Sequence, residues 1–446
     1  MLYSIELQSL SNQKPVVTVF GSAKIGVYLK FAKINLYFNS MRTLLLCLLV
    51  ALSVRPAVAQ YGTTTSHDYF PPKGAWDSRS PKVMGLDETK LEAAIKVAKD
   101  SESQASRDLK VAQLQSFWKE PYLESEGAFA DRGDPTGIIV YKGYIVATWG
   151  DPNRVEMTNS VTKSFLSTVV GLAVEHGLIR SVQDTVEQYM APIEVFHPDG
   201  SGSENDLLYP FASEHNRLLT WDVMLRQTSD WEGTLWGKPD WADRPDGKPG
   251  ETRKRNAPGA VWKYNDVRVN ALALATTNVW RKPLPQVLKT YIMDPIGASD
   301  TWRWMGYRNA WIVIDGQPVQ SVSGGGHWGG GMFINAYDMA RFGLLTLHKG
   351  NWAGKQLIPE SWVKQALTPT PANPTYGYMN WFLNTDHKLL ADAPVTAFVH
   401  IGNGNNIIYV DPEHEIVVVA RWIESKGMNE LIKTVLGALP GSSTHN

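Results

Sequence analysis

Residues 158–177 read TNSVTKSFLSTVVGLAVEHG, and this stretch decides the fold. From Val161 onward it is apolar almost all round, and it stops at Gly177. A segment with no polar face reads as a helix buried on every side, and a glycine just beyond it is a common C-terminal signal. The head of this predicted helix is Ser160-Val161-Thr162-Lys163. Residues three apart share a helix face, so Lys163 Nζ can reach Ser160 Oγ. A serine hydroxyl is a poor nucleophile until a base takes its proton, which a lysine can do when burial favours its neutral form. The free N–H groups of a helix N-terminus can also face a developing oxyanion. The plain alternative is a serine N-cap followed by a solvated lysine.

The same S-x-x-K spacing recurs at Ser11-Asn12-Gln13-Lys14 and at Ser116-Phe117-Trp118-Lys119. The first lies upstream of the predicted leader cleavage before Gln60, and the second sits before Pro121 with no long apolar helix after it, so context favours Ser160. A second candidate is Tyr264-Asn265-Asp266, in VWKYNDVRVNALALA. A tyrosine ahead of an apolar helical run can project its phenol into a cleft, and a nearby ammonium would lower its pKa enough to shuttle a proton. A buried structural tyrosine is the alternative. A third is His400-Ile401-Gly402-Asn403-Gly404, between two predicted strands. Its glycines permit close backbone approach, and the Asn403 N–H offers a second oxyanion donor beside that of Ser160. An ordinary glycine-rich strand connection would look the same.

Further out, GIIVYKGYIVATW at 137–149 places two β-branched runs around Lys142-Gly143, a predicted hairpin. Strands are expected over Ala397–Ile401, Asn406–Val410 and Glu415–Trp422, then a helix over Met428–Leu439. Leu86 to Leu114 reads as one helix. Strands thus fall early and late, with a middle of helix and loop. The economical arrangement is an α+β fold: both chain ends pair in one antiparallel sheet flanked by helices, and a mostly helical region, about 158–390, is inserted.

Residues 41–60 read MRTLLLCLLVALSVRPAVAQ: Arg42, a short apolar run, then Ala57-Val58-Ala59. This is the pattern of a secretory signal peptide cleaved before Gln60, and the run is too short for a stable membrane span. The expected layout is therefore an upstream mis-start over 1–40, a signal peptide over 41–59, an extended lead-in over 60–83 and a catalytic domain over 84–440. Export to the periplasm or the medium follows. The single cysteine is Cys47, inside the leader, so no disulfide, thiolate-zinc site or cysteine nucleophile is expected after cleavage. The formal net charge of -1 gives no reason to expect nucleic acid as a partner. There is no H-E-x-x-H, no close His/carboxylate cluster in sequence and no G-x-x-x-x-G-K-[ST], so no metal or cofactor is expected. The glycine-rich SGGGHWGGGM at 323–332 is expected beside the cleft, with His327-Trp328 as one wall.

The three candidate segments, in this order, resemble the class C β-lactamase superfamily of serine hydrolases, which includes penicillin-binding proteins, D-peptidases, carboxylesterases and aminohexanoate-oligomer amide hydrolases. The likeness extends over about residues 84–440, through LTWDVMLRQTSD at 219–230 and Pro295-Ile296-Gly297. The wording around Ser160 leans toward the nylon-oligomer hydrolase and esterase branch. The resemblance implies Ser160 as nucleophile, Lys163 as its base and Tyr264 as the tyrosine of a Y-x-N motif. It implies that His400-Ile401-Gly402 stands where K-T-G is usual, and that the Asn403 N–H completes the oxyanion hole. Asp266, His400, Gly402 and Trp328 are the expected substrate-binding positions.

Two departures carry chemistry. Asp266 puts a carboxylate where an amide is usual, and His400 with Ile401 removes a fixed cation and a hydroxyl. Both argue against β-lactam hydrolysis and for an ester or non-lactam amide of small-molecule or short-peptide size. A penicillin-binding D-peptidase is the alternative enzyme, and a non-catalytic binding protein on the same fold is the alternative of another class. The sequence leaves the oligomeric state open.

Overall fold

A computed structural model describes residues 69–202, 206–245 and 254–441. The expected leader and the first part of the lead-in fall outside the described residues. The elements that position the site are helices α1 (Glu88–Asp100) and α2 (Leu109–Phe117), strands β1 (Thr136–Tyr141), β2 (Tyr144–Trp149) and β3 (Glu156–Met157), and helices α3 (Thr162–Glu175) and α4 (Asp266–Trp280). Strands β4 (Arg303–Ile314), β5 (Gln317–Val322) and β6 (Gly331–Ile334) follow, then α5 (Ala336–Leu347). Strands β7 (Phe382–Leu383), β8 (Phe398–Gly402), β9 (Asn406–Asp411) and β10 (Ile416–Arg421), with helix α6 (Ser425–Gly437), complete the set.

The hairpin forms as its sequence predicts. Lys142 at φ 50° and Gly143 at φ 81° give the left-handed turn pair that matches strand twist. β1 then pairs on its other side with β10, from Thr136 opposite Arg421 to Tyr141 opposite Ile416. The six-stranded order β7-β8-β9-β10-β1-β2 therefore joins both chain ends, as expected. Alternation along β1 specifies both faces. Ile138 and Val140 enter the core shared with α3, α4 and α5, whereas Ile139 and Tyr141 pack under α1 and α6. Each fully buried side chain of this size stabilises the fold by about 2 kcal/mol, so a one-residue slip would reverse both faces at once.

Two expectations are corrected. The helix foreseen over 86–114 is two helices, each with its own aspartate N-cap: Asp87 accepts from the Lys90 N–H, and Asp108 from those of Lys110 and Val111. Buried Arg132 occupies the break, donating to the carbonyls of Ser103 and Ala105. The middle of the chain also carries a second sheet, in the order β3-β6-β4-β5. Arg303, Gly306, Arg308 and Asn309 interrupt apolar alternation along β4, which hides the strand from a periodicity reading. Among the described residues, no helix is long and apolar enough to cross a membrane.

Candidate active site

Ser160 sits in a short turn, Asn159–Val161, that feeds α3. Asn159 adopts φ 50°, a left-handed conformation that asparagine tolerates better than most residues. Its side chain is held at both ends: Nδ2 donates to the Asn403 carbonyl at 3.0 Å, and Oδ1 accepts from Gln113 at 3.1 Å. The glycine-rich loop closes on this turn from behind. A Cβ on Gly325 would lie 2.1 Å from the Asn159 carbonyl oxygen, and one on Gly326 would lie 2.5 Å from Asp266 Cγ. Glycine is needed there so that backbone and Asp266 can pack against it.

The helix geometry delivers the expected pair. Lys163 Nζ donates to Ser160 Oγ at 2.8 Å and to the Gly324 carbonyl at 3.2 Å. Its ammonium also lies 2.7 Å from Asp266 Oδ1, an ion-pair contact outside hydrogen-bond angles. Lys163 is fully buried and Ser160 only partly, so the lysine is shielded while the hydroxyl meets the cleft. Lys163 Nζ sits 5.0 Å from the centre of the Tyr264 ring, and the Tyr264 phenol donates to Asn380 Oδ1 at 3.2 Å. The sequence suggested a lowered phenol pKa; the opposite holds. Burial, then the Asp266 charge, push Tyr264 up, against the Ser160 hydrogen bond and the Arg244 cation. Tyr264 is therefore a proton donor at neutral pH, and as a phenolate base it would be disfavoured.

These groups open into a cleft of about 580 Å³. Ser160, Tyr264, Asn380, Gly402 and Asn403 line it together, as do Trp262 and Phe117. Gly402 lies tight against the turn: a Cβ there would be 1.9 Å from the Thr158 carbonyl and 3.1 Å from the Ser160 nitrogen. The close approach is thus to the Ser160 turn itself.

Three expected substrate-binding positions do not face this cleft. His400 is fully buried between Trp381 and Phe398, and burial pulls its pKa down to about 3, so it is neutral. Trp328 is also fully buried, donating to the Tyr122 carbonyl at 2.7 Å. Trp262 stands in the wall instead. Asp266 is buried under Lys163 as its counter-ion. The Ser116 match to S-x-x-K lies at the rim, its hydroxyl donating to the Ala112 carbonyl, with Lys119 over the Trp118 ring.

Sequence spacing missed Asn380 and Gln113, which no motif marks, and a charged group behind Lys163. Glu120, Asp243 and His327 each offer an atom within 4.8 Å of the others. No sequence cluster announced them, because the fold brings them from separate segments. Arg244 contacts Asp243 directly and lies 3.6 Å from Asp266 Oδ2. The carboxylates of Glu120, Asp243 and Asp266 therefore lie among three basic side chains, Lys163, Arg244 and His327. A second cavity, about 730 Å³, lies between residues 73–81 and β2. Its buried charges are occupied: Arg341 donates to four backbone carbonyls, and Asp338 accepts from Ser299.

Comparison with known proteins agrees with this arrangement. The family model for Beta-lactamase matches residues 139–422. The 6-aminohexanoate-dimer hydrolase of Paenarthrobacter ureafaciens is 25% identical over 222 residues, which is 48% of this chain and 51% of that protein. The chain thus spans about half the length of that curated relative. A solved protein of Bacillus anthracis assigned as a 6-aminohexanoate-dimer hydrolase superposes with a TM-score of 0.50 at 14% identity, over 82% of this chain and 88% of that one. One of Bacteroides dorei assigned as a beta-lactamase does so with a TM-score of 0.50 at 14% identity, over 79% and 99%. At that identity the two solved structures speak for the fold alone.

Proposed function

This chain belongs to the Beta-lactamase family of serine hydrolases, and from that premise we propose that it cleaves an ester or a non-lactam amide through an acyl-enzyme on Ser160. The observation that carries this is Lys163 Nζ at 2.8 Å from Ser160 Oγ, on the floor of a cleft that Tyr264 and Asn403 also line.

The amine form of Lys163 takes the Ser160 proton while Oγ attacks the substrate carbonyl carbon. The backbone N–H groups of Ser160 and Asn403 receive the oxyanion of the tetrahedral intermediate. The C–O or C–N bond then breaks. Tyr264 gives its proton to the leaving alcohol or amine and is reprotonated from Lys163. In the second half a water loses its proton to the same pair and attacks the acyl carbon, and Ser160 departs with a proton returned from Lys163. No step draws on a cofactor. The neutral, buried His400 supports a substrate that needs no fixed cation at the K-T-G position.

Intact-mass analysis with a fluorophosphonate, a short-chain p-nitrophenyl ester and penicillin tests this, with Ser160→Ala alongside. The expected result is one adduct with the first two probes, turnover of the ester and no adduct in the variant. A stable penicillin adduct would favour the D-peptidase alternative. No adduct on folded protein would favour a non-catalytic relative. We also propose export, on the strength of the Arg42-to-Ala59 pattern. N-terminal sequencing of the natural product should begin at Gln60; a start before Met41 would refute it.

A further inference from the structure

An aspartate next to a proton-accepting lysine poses a chemical problem. An unshared carboxylate 2.7 Å from Nζ favours the ammonium form, and an ammonium cannot take the Ser160 proton. The structure supplies a counterweight on the far side of Asp266. Asp266 Oδ2 lies 3.2 Å from His327 Nδ1 and accepts from the His327 backbone N–H at 3.4 Å. The other ring nitrogen, Nε2, lies 3.1 Å from Glu120 Oε2, and Nδ1 is 3.8 Å from Asp243 Oδ1. The ring is clamped between Phe117 at 4.2 Å and Trp328 at 4.0 Å, centre to centre. His327 itself is 6% exposed and does not line the cleft.

Four segments converge on this ring: the turn that follows α2, with Glu120, the 240–245 segment with Asp243 and Arg244, the start of α4 with Asp266, and the glycine-rich loop. We propose that His327 is a positioning residue which, as an imidazolium, shares the charge of Asp266 and so leaves Lys163 free to exchange its proton with Ser160; the proposal rests on Ser160 and Lys163 being the reacting pair. An amide at position 266 would need no such partner. The Asp266 and His327 side chains form one functional unit, split between two segments far apart in the chain. Burial disfavours the charged ring, but the Asp266 and Glu120 carboxylates beside its two nitrogens outweigh it and hold His327 up to about 9, so the ring is cationic at neutral pH.

The test is a double-mutant cycle at pH 7 with a p-nitrophenyl ester. His327→Gln should lower kcat at least tenfold with KM nearly unchanged, and it should slow fluorophosphonate labelling of Ser160 in proportion. Asp266→Asn in the His327→Gln background should recover most of that loss, because the neutral amide needs no counter-charge. A ring that only braces the fold predicts the reverse: the double variant would be no better than His327→Gln. In the wild type, kcat should also fall as the pH rises through about 9, and Asp266→Asn should flatten that limb. This second measurement stands if His327→Gln fails to fold. Wild-type labelling and turnover in His327→Gln, with Ser160 still the labelled residue, would overturn the proposal while leaving the nucleophile intact. Labelling that persists in Ser160→Ala would instead remove the premise.

Discussion

Asp266 presents Oδ1 to Lys163 Nζ at 2.7 Å, with both side chains buried. A carboxylate so close stabilises the ammonium, so replacing it by an amide should ease proton removal. Asp266→Asn is therefore expected to shift the rising, acid-side limb of the kcat/KM profile to lower pH. The change is nearly isosteric and His327 keeps Glu120 as a partner, so kcat at the optimum should stay within about tenfold of wild type. A pH–rate profile on one ester from pH 4 to 9 decides it. An unmoved limb would mean that Asp266 exerts no field on the reacting lysine.

Tyr264 is the acid proposed for the leaving group. Burial and the Asp266 charge keep its phenol protonated. General acid catalysis contributes roughly 10²–10⁴-fold, and it matters most for a strongly basic leaving group. Tyr264→Phe should therefore depress hydrolysis of an aliphatic amide far more than that of a p-nitrophenyl ester, whose phenolate leaves unaided. Comparing kcat for the two substrates in wild type and variant checks the assignment. Equal losses on both would place Tyr264 in alignment of Ser160 rather than in proton donation.

His400 carries a different expectation. Both ring nitrogens are buried without a hydrogen-bond partner. Burial holds the folded-state pKa at about 3, below the unfolded value. The folded state then binds fewer protons than the unfolded one between those two values. Its contribution to stability is present above about 6.5 and is lost as the pH falls toward 3, by a few kcal/mol in all. His400→Met removes two unsatisfied polar atoms and the titration together. It should raise the melting temperature slightly at pH 8 and markedly at pH 5, with ester turnover unchanged. Turnover that collapses in folded His400→Met would restore a role for this position in substrate binding.

The parts of the site that were legible in the sequence are those that local geometry fixes. Ser160 and Lys163 meet because a helix places residues three apart on one face, and the 142–143 hairpin follows from its two turn residues. Asn403 and Gly402 reach the cleft because they end a strand in a sheet whose pairing the apolar runs foretold. His400, one strand position away from Ile401, alternates to the opposite face, and a motif alignment does not register that its ring is enclosed by Trp381 and Phe398. The charged group was illegible for a related reason. Glu120, Asp243, Asp266 and His327 come together only where four separate segments pack around the His327 ring, and nothing in their spacing encodes that contact.

That packing can be tested at its tightest point. Gly325 has φ +76°, and a Cβ there would fall 2.1 Å from the Asn159 carbonyl and 2.6 Å from Thr162 Oγ1, so the Ser160 turn itself would have to move. Gly316 has the same backbone conformation, φ +77°, but a Cβ there would meet nothing within 4 Å. Gly316→Ala thus measures left-handed strain alone, about 1 kcal/mol, with activity kept. Gly325→Ala adds the steric displacement and should destabilise by several kcal/mol. It should also lower kcat by about 10²-fold or more, because a shift near 1 Å at a reacting atom is enough for that. Denaturant melts and ester kinetics on both variants separate the two terms. Equal stability losses in the pair, with Gly325→Ala fully active, would mean that the loop does not hold Ser160 in place.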